Sequence, residues 1–502
     1  MAMQNSATVA TTLSEQDEAG NILRTYIFSS SSGEQQQQGT SAIDKKDEGS
    51  SQEKGSTRVD VVTPKQARKT ILQQLLDVFL PSGFPNSVTE DYVAYQIFDS
   101  LQAFSSSIAG MLASRAVLEG VGVGDPTTTP TAALLLSVLH ESTGRIATIL
   151  FAHRLGTALE PECKMYRLAA DIFNDTAMVL DCLSPGFPKP LRVVVLSGAS
   201  CLRALCGVCA GSAKASLSAH FAKAGNLGEV NAKDSSQETV ISLLGMLAGS
   251  FAVSHITSPL ETWCTFILLL CIHLGTNYAA VRAVKMQSLN RQRANILFGH
   301  VFQHGVVLSP GEVSTRERIF ERSGVLRWAN DEVLGRCRIG VSLHDMLGAI
   351  GARQHKLSGS LLASPHSGVD VFELLSVFKS EGYVLWPAPP AGEALIVLKA
   401  GCGPIDQLKA WAHVLLVAAR AQHGKEYSES KPDMAAAPAM TAAAEATTTT
   451  TIDKHGLIAE LRETLIEVQT MFDKYGETMR TKGWDLSVAA METKAGMRLQ
   501  IS

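Results

Sequence analysis

Apolar positions run through the middle of this chain in long blocks at helical spacing. Gln66–Leu80 is amphipathic, with Ile71, Leu72, Leu75, Leu76 and Phe79 on one face. Pro81 and Pro85 then interrupt the pattern. Ser87 and Glu90 have the spacing of a capping box, which predicts a long helix from about Thr89 to Val121, closed by Gly120, Gly122 and Gly124. Thr129 as a cap and Pro130 at the first position predict the next helix, to about Leu155. Another is expected over Pro161–Leu183, stopped by Pro185, Gly186, Pro188 and Pro190. Leu191–Ala213 is apolar apart from Arg192 and Arg203. Ser235 and Glu238 predict a second capping box, opening a helix to about Ile256 with no charge between Val240 and Ser254. Pro259 and Glu261 open the next, in which Trp263–Val281 is uncharged.

A bilayer core of about 30 Å is crossed by roughly 20 apolar helical residues, with a range of about 17–25. The last two helices approach or meet that length, and Leu191–Ala213 meets it with one internal arginine. The earlier ones are long enough but carry polar residues inside. The expected fold is mainly α: a polytopic helical membrane domain followed by a small α+β C-terminal domain. The alternative is a large soluble all-α domain with buried polar groups. Five segments are expected: 1–65 disordered, 66–294 helical and membrane-embedded, 295–425 α+β, 428–452 an Ala/Thr/Pro linker, and 453–502 an amphipathic helix and tail. Within the first segment, Ile22–Phe28 and Thr57–Val62 alternate as strands do and are able to add to a later sheet. In the C-terminal part, Asp370 caps a helix to Glu381, Gly382–Pro387 and Glu393–Lys399 read as strands, and Pro404–Gln422 and Lys454–Met479 read as helices.

Composition sharpens the membrane expectation. Only 18% of the 502 residues are charged, against roughly 25% in an ordinary soluble domain. Net charge is −4, from 44 basic and 48 acidic residues, which gives no invitation to nucleic acid. Cys201, Cys206 and Cys209 cluster without histidine neighbours, so they read as buried thiols in a reducing compartment, not as a zinc site. No secretory signal is visible in the first 30 residues, and acidic residues before Arg24 disfavour a transit peptide. The expected location is an intracellular membrane, with plastid and mitochondrion as candidate organelles.

Several polar groups interrupt the apolar blocks. Tyr95, Asp99, Gln102, Ser106 and Gly110 continue a stripe begun by Glu90 and Asp91, and 3–4 residue spacing puts them on one helix face. Such a face lines a cavity in a membrane bundle or meets water outside it. His140, Glu141 and Arg145 stand between apolar runs, with Glu141 and Arg145 at i, i+4; they form a functional site or an orienting ion pair. Arg167, Asp171, Asn174 and Asp175 share a face suited to proton relay, to cation binding, or to a solvated ion pair. Lys233, beside Asp234, has the chemistry of a Schiff-base lysine, although it reads as part of a polar loop. The Gly120–Gly124 run reads as a helix end in preference to a phosphate loop.

Longer motifs are specific. Leu80-Pro81-Ser82-Gly83-Phe84-Pro85-Asn86-Ser87-Val88 is followed by Asp91-Tyr92, Tyr95-Gln96, Asp99-Ser100 and Gln102-Ala103-Phe104. Ser142-Thr143-Gly144, Arg167-Leu168, Ala170-Asp171 and Asn174-Asp175 come next, then Ala232–Thr239 and Asn277–Ala283. Over about residues 68–300 this ordered series closely resembles the root UVB sensitive family. The resemblance implies a eukaryotic membrane protein linked to vitamin B6 homeostasis and UV-B protection, with plant members tied to plastids and thought to act with paralogues. It supplies no catalytic residue and no defined cofactor. It adds Gln96, Asp234, Asn277 and Arg282 to the candidate ligand-binding positions. The first expectation is a non-enzymatic protein that moves or senses a small molecule. The alternatives are a membrane scaffold assembling with a paralogue or a second copy, and a pyridoxal-phosphate-dependent activity.

Overall fold

The computed structural model describes residues 10–16, 22–30, 57–62, 78–121, 130–223, 225–256, 258–351, 353–354, 361–362, 370–387, 392–424, 454–494 and 496–500. The linker at 428–452, most of the amphipathic stretch at 66–80, the cap Thr129, Gly122, Gly124 and the rest of the first 65 residues lie outside them. The chain divides into two units: residues 1–90 with 221–237, and residues 91–220 with 238–502.

In the first unit, β1 (Ala10–Gln16), β2 (Ile22–Ser30) and β3 (Thr57–Val62) form an antiparallel sheet in chain order. Leu13 pairs with Tyr26, and Phe28 with Val59. The two alternating segments thus pair with each other, and β2 also pairs with β1, a threonine-containing stretch that a disordered reading overlooks. Among the described residues they pair only within this sheet.

The second unit holds α1 (Tyr92–Val121), α2 (Pro130–Leu159), α3 (Cys163–Leu183), most of α4 (Lys189–Phe221), the later part of α5 (Leu227–His255), and α6 (Pro259–Ala283). Neither predicted capping box forms. Helix α1 starts at Tyr92, and the buried Ser87 hydroxyl has no partner among the described residues. Val88 instead bridges Ala222. Ser235 lies inside α5, which begins at Leu227. Local capping spacing is satisfied by chance here because tertiary pairing sets the ends.

Helices α4, α5 and α6 are long and apolar enough to cross a membrane. Many large side chains on these helices and on α2 are left exposed. Leu135, Ile149 and Leu150 on α2, Leu247 and Phe251 on α5, and Leu260 and Leu268 on α6 are 61–73% exposed. Exposed apolar side chains in such number mark contact with lipid or a partner. Between α1 and α5 the backbones meet closely: a Cβ on Gly245 would stand 2.6 Å from the Ser107 Cβ and 3.0 Å from the Phe104 carbonyl oxygen. Gly245→Ala is expected to destabilise the protein by about 1–3 kcal/mol, as overpacked contacts do. Thermal unfolding of the solubilised protein would measure it, and an unchanged midpoint would contradict the contact.

After α6, β4 (Ser288–Asn290), α7 (Arg291–His304) and α8 (Pro310–Arg316) lead into a mixed region. It contains β5 (Val325–Arg327), β6 (Val333–Ile339), α9 (Leu343–Ile350), a small hairpin of β7 (Arg353–Gln354) and β8 (Leu361–Leu362), and α10 (Val371–Val377). Then come β9 (Tyr383–Trp386), β10 (Ala394–Lys399), α11 (Pro404–His423), α12 (Lys454–Thr481), β11 (Asp485–Ala490) and β12 (Arg498–Leu499). Strand β10 pairs parallel with β6 and β12 and antiparallel with β9, while β11 pairs with β4. Asp370 caps α10 by accepting from the Phe372 amide at 2.9 Å. Strands β4, β5 and β12 have two or three residues each and include Arg or Asn, so no alternation announces them.

One core joins these elements. Trp411 on α11 is fully buried, and its Nε1 donates to Asn295 Oδ1 at 2.8 Å. Leu461 and Val468 on α12 lie in the same core, and the Trp484 indole donates to the Leu308 carbonyl at 2.7 Å. The final helix and tail therefore complete the α+β core.

At the α11–α12 seam, the buried His413 contacts the Tyr383 hydroxyl at 3.0 Å and the Thr464 hydroxyl at 2.9 Å. Burial pushes its pKa down to about 3. The unfolded imidazole takes up a proton near its ordinary value of about 6.5. His413 therefore contributes stability that is fully present above that value and is lost as pH falls toward the folded value. His413→Gln should flatten the acid side of the stability–pH curve. An identical acid slope in both proteins would count against this role.

Candidate functional site

Three helices bring their polar faces together in the second unit. Helix α1 supplies Tyr95, Asp99 and Gln102, one turn apart, and α3 supplies Arg167, Asp171 and Asp175 at i, i+4, i+8. Helix α6 supplies His273 and Asn277, again at i, i+4.

Arg167 is the hub. Its Nη2 reaches Asp99 Oδ1 at 2.5 Å and Gln102 Oε1 at 2.8 Å, its Nε donates to the Tyr95 hydroxyl at 3.3 Å, and its Nη1 to Asp171 Oδ1 at 3.4 Å. The planar guanidinium spans these partners because its donors are fixed in a fork. Gln102 Nε2 then faces Asp171 Oδ2 at 2.5 Å and His273 Nε2 at 3.0 Å. His273 Nδ1 meets Asp175 Oδ1 at 2.7 Å. Asn277 Nδ2 donates to Asp171 Oδ2 and, at 3.3 Å, to the Arg167 carbonyl. Asp171 and Asp175 are each 4% exposed, His273 1% and Asn277 0%. A network this deeply buried survives only where charge and hydrogen bonding nearly balance.

Sequence spacing leads to Tyr95, Asp99, Gln102, Arg167, Asp171 and Asp175, and the family resemblance adds Asn277; the structure gathers all seven. Neither route leads to His273, a single histidine inside an otherwise apolar run. The signal available was its i, i+4 spacing from Asn277. Gln96 is buried on the neighbouring part of α1, and the half-buried Asn174 takes no part in these bonds.

Other candidates lie elsewhere. Glu141 and Arg145 form their i, i+4 ion pair at 2.6 Å, but with 62% and 76% of their side chains exposed. Their i, i+4 spacing gave the pair but no face, because α2 is apolar around much of its circumference and offers no polar side to orient it. His140 is half-buried on the same helix, and its backbone carbonyl accepts from the Ser200 hydroxyl at 2.7 Å.

Lys233 and Asp234 belong to α5, within the first unit, where a loop was expected. The loop carrying the Leu80–Val88 motif closes on this helix. Ser82 donates from its amide and hydroxyl to Glu229 at 2.7 Å each, Lys233 Nζ donates to the Val78 carbonyl at 2.8 Å, and Gln237 Nε2 to the Phe79 carbonyl at 2.7 Å. Asp234 is buried.

Arg282, at the end of α6, serves a second cluster. Its guanidinium donates to the carbonyls of Glu317 at 2.5 Å and Thr315 at 3.0 Å. Beside it the buried Glu317 carboxylate takes Lys164 Nζ at 2.6 Å and Arg293 Nη1 at 2.9 Å. Burial alone would raise the Glu317 carboxyl, but the two cations hold it below the ordinary glutamate range. This cluster fastens α3 to the start of the α+β region.

No group of three or more His, Cys, Asp and Glu side chains is arranged to hold a metal among the described residues. Cys209 is buried, and Cys201 and Cys206 are half-buried.

The architecture defines a class: a bundle of long apolar helices enclosing a charged cluster, followed by an α+β domain. The vitamin B6 photo-protection and homoeostasis domain matches residues 65–305. Protein root UVB sensitive 3 of Arabidopsis thaliana is 36% identical over 351 residues, covering 69% of this chain and 76% of that protein. RUS family member 1 of Dictyostelium discoideum is 39% identical over 292 residues, covering 57% of this chain and 54% of that protein. The match thus spans about half the length of the second relative. Protein root UVB sensitive 6 of Arabidopsis thaliana is 26% identical over 411 residues, 81% of this chain and 74% of that protein. No solved structure matches the chain. The chain belongs to the root UVB sensitive family.

Proposed function

We propose that this chain is an integral protein of an intracellular membrane whose buried polar cluster binds a small polar molecule and moves or senses it, in support of vitamin B6 homeostasis and UV-B protection. The observation that carries this reading is the contrast between the two sides of the helices. Their outward faces bear exposed leucine, isoleucine and phenylalanine, while Arg167, Asp171, Asp175, His273 and Asn277 are turned inward. Ionisable groups inside an apolar bundle are costly, and they mark ligand or ion pathways where they occur in membranes. The family's domain description supplies the link to vitamin B6.

The test is equilibrium binding and liposome uptake of labelled pyridoxine and pyridoxal by the purified full chain. Saturable binding or flux is expected, and Gln102→Leu should weaken it, because Gln102 joins Arg167 to Asp171 and His273. Folded protein that neither binds nor transports these vitamers would overturn the reading.

A further inference from the structure

We propose that the Asp171–Asp175–His273–Asn277 cluster binds a monovalent positive charge, a proton or an alkali-metal ion. This rests on the cluster being the working site but not on the identity of the small molecule.

The directions of the hydrogen bonds fix which groups carry charge. Arg167 can only donate, so Gln102 must present its oxygen to Nη2, as it does at 2.8 Å. The Gln102 amide nitrogen is thereby fixed as a donor toward Asp171 Oδ2 and His273 Nε2. His273 Nε2 must then accept, which leaves the ring proton on Nδ1, donated to Asp175 Oδ1 at 2.7 Å. The imidazole in this arrangement is neutral. Three carboxylates, Asp99, Asp171 and Asp175, then face a single guanidinium, that of Arg167.

Among the described residues no further arginine or lysine stands in ion-pair range of these carboxylates. On α4, Cys206 lies near Asp171 and Asp175, while Arg203 is paired with Asp181. On α5, residues between Val240 and Ser254 carry no charge. On α2, Glu141 and Arg145 pair with each other at an exposed face. On α1, Tyr95 shares Arg167, and Asp91 lies at the helix start with His220 at 2.9 Å. Two negative charges remain uncompensated in a largely buried site, a state that burial strongly disfavours.

The second observation concerns where a positive charge would sit. Asp175 Oδ2 and Asn277 Oδ1 are buried and have no hydrogen-bond partner among the described residues. An Asn carbonyl oxygen cannot donate, so its vacancy asks for a donor or a cation. Carboxylate and amide oxygens are hard ligands, which suit a proton or an alkali-metal ion.

The experiment uses the purified full chain in nanodiscs without any vitamer. Thermal midpoints are recorded over neutral to mildly acidic pH, and with NaCl or KCl replacing choline chloride at constant ionic strength. The wild-type midpoint is expected to rise when the charge is supplied. A pH response alone identifies the proton, and a salt response at fixed pH identifies the ion. Asp175→Asn should lose that response and match or exceed the wild-type midpoint in the unsupplied condition, whereas Asn277→Asp should steepen the response. Identical responses in wild type and folded Asp175→Asn would overturn the proposal; if Asp175→Asn does not fold, an unaltered response in Asn277→Asp would do so. A cation response without vitamer binding would remove the vitamin reading and keep this site. Vitamer binding without a cation response would remove this site alone.

Discussion

Replacing Arg167 with alanine is expected to destabilise the protein by about 3–5 kcal/mol, the scale for breaking a buried ion pair by removing one partner. Among the described residues Arg167 is the one arginine or lysine in ion-pair range of Asp99 and Asp171, and it also holds Tyr95 and Gln102. Its loss sets the carboxylates of α1 and α3 against each other with no counter-charge between them. Lysine should rescue only part of the loss, because a point charge cannot reach Tyr95, Asp99 and Gln102 together. Adding Asp99→Asn to the alanine variant should recover some stability by removing one of the opposed charges. Thermal unfolding of the solubilised variants measures all three. An alanine variant as stable as wild type would mean that the network is not the bond between these helices.

The second large effect is expected at Glu317. Glu317→Ala leaves the Lys164 ammonium and the Arg293 guanidinium buried side by side, with 5% and 3% of their side chains exposed. A loss of about 3–5 kcal/mol is again the relevant scale. Because Glu317 is held below the usual glutamate range, its contribution is present above that range and lost as pH falls through the folded value. Limited proteolysis should cut the variant after α6 before the rest of the chain, since the junction with the α+β region loosens first. Equal cleavage rates in variant and wild type would contradict the role given to this cluster.

Much of the site was legible in the sequence, and the reason is geometric. A helix repeats every 3.6 residues, so Tyr95, Asp99 and Gln102 declare a common face, as do Arg167, Asp171 and Asp175. Spacing alone does not say which face turns inward. Glu141 and Arg145 kept the predicted pairing but stand exposed. His273 was hidden because one neutral ring barely alters an apolar run, and its meaning comes from Asp175 on another helix. Lys233 was misread as a loop residue because the Ala232–Thr239 stretch is polar, yet it continues α5 and latches the Leu80–Val88 loop. The helical order and the strands β9 and β10 were readable from breakers and apolar runs. The short strands β4, β5 and β12 were not, since they are defined by partners distant in sequence.

Under the proposed function, α6 carries His273 and Asn277 on a protected face while its opposite face meets lipid. Cys271 tests this claim directly, because it is exposed beside Leu268 and Ile272. In a variant retaining Cys271 as the sole cysteine, a membrane-impermeant maleimide is applied to intact, carbonate-washed membranes and then to detergent-solubilised, unfolded protein. The account predicts that the protein stays with the washed membranes and that Cys271 reacts only after unfolding. Release by carbonate, or rapid labelling of Cys271 before solubilisation, would contradict it.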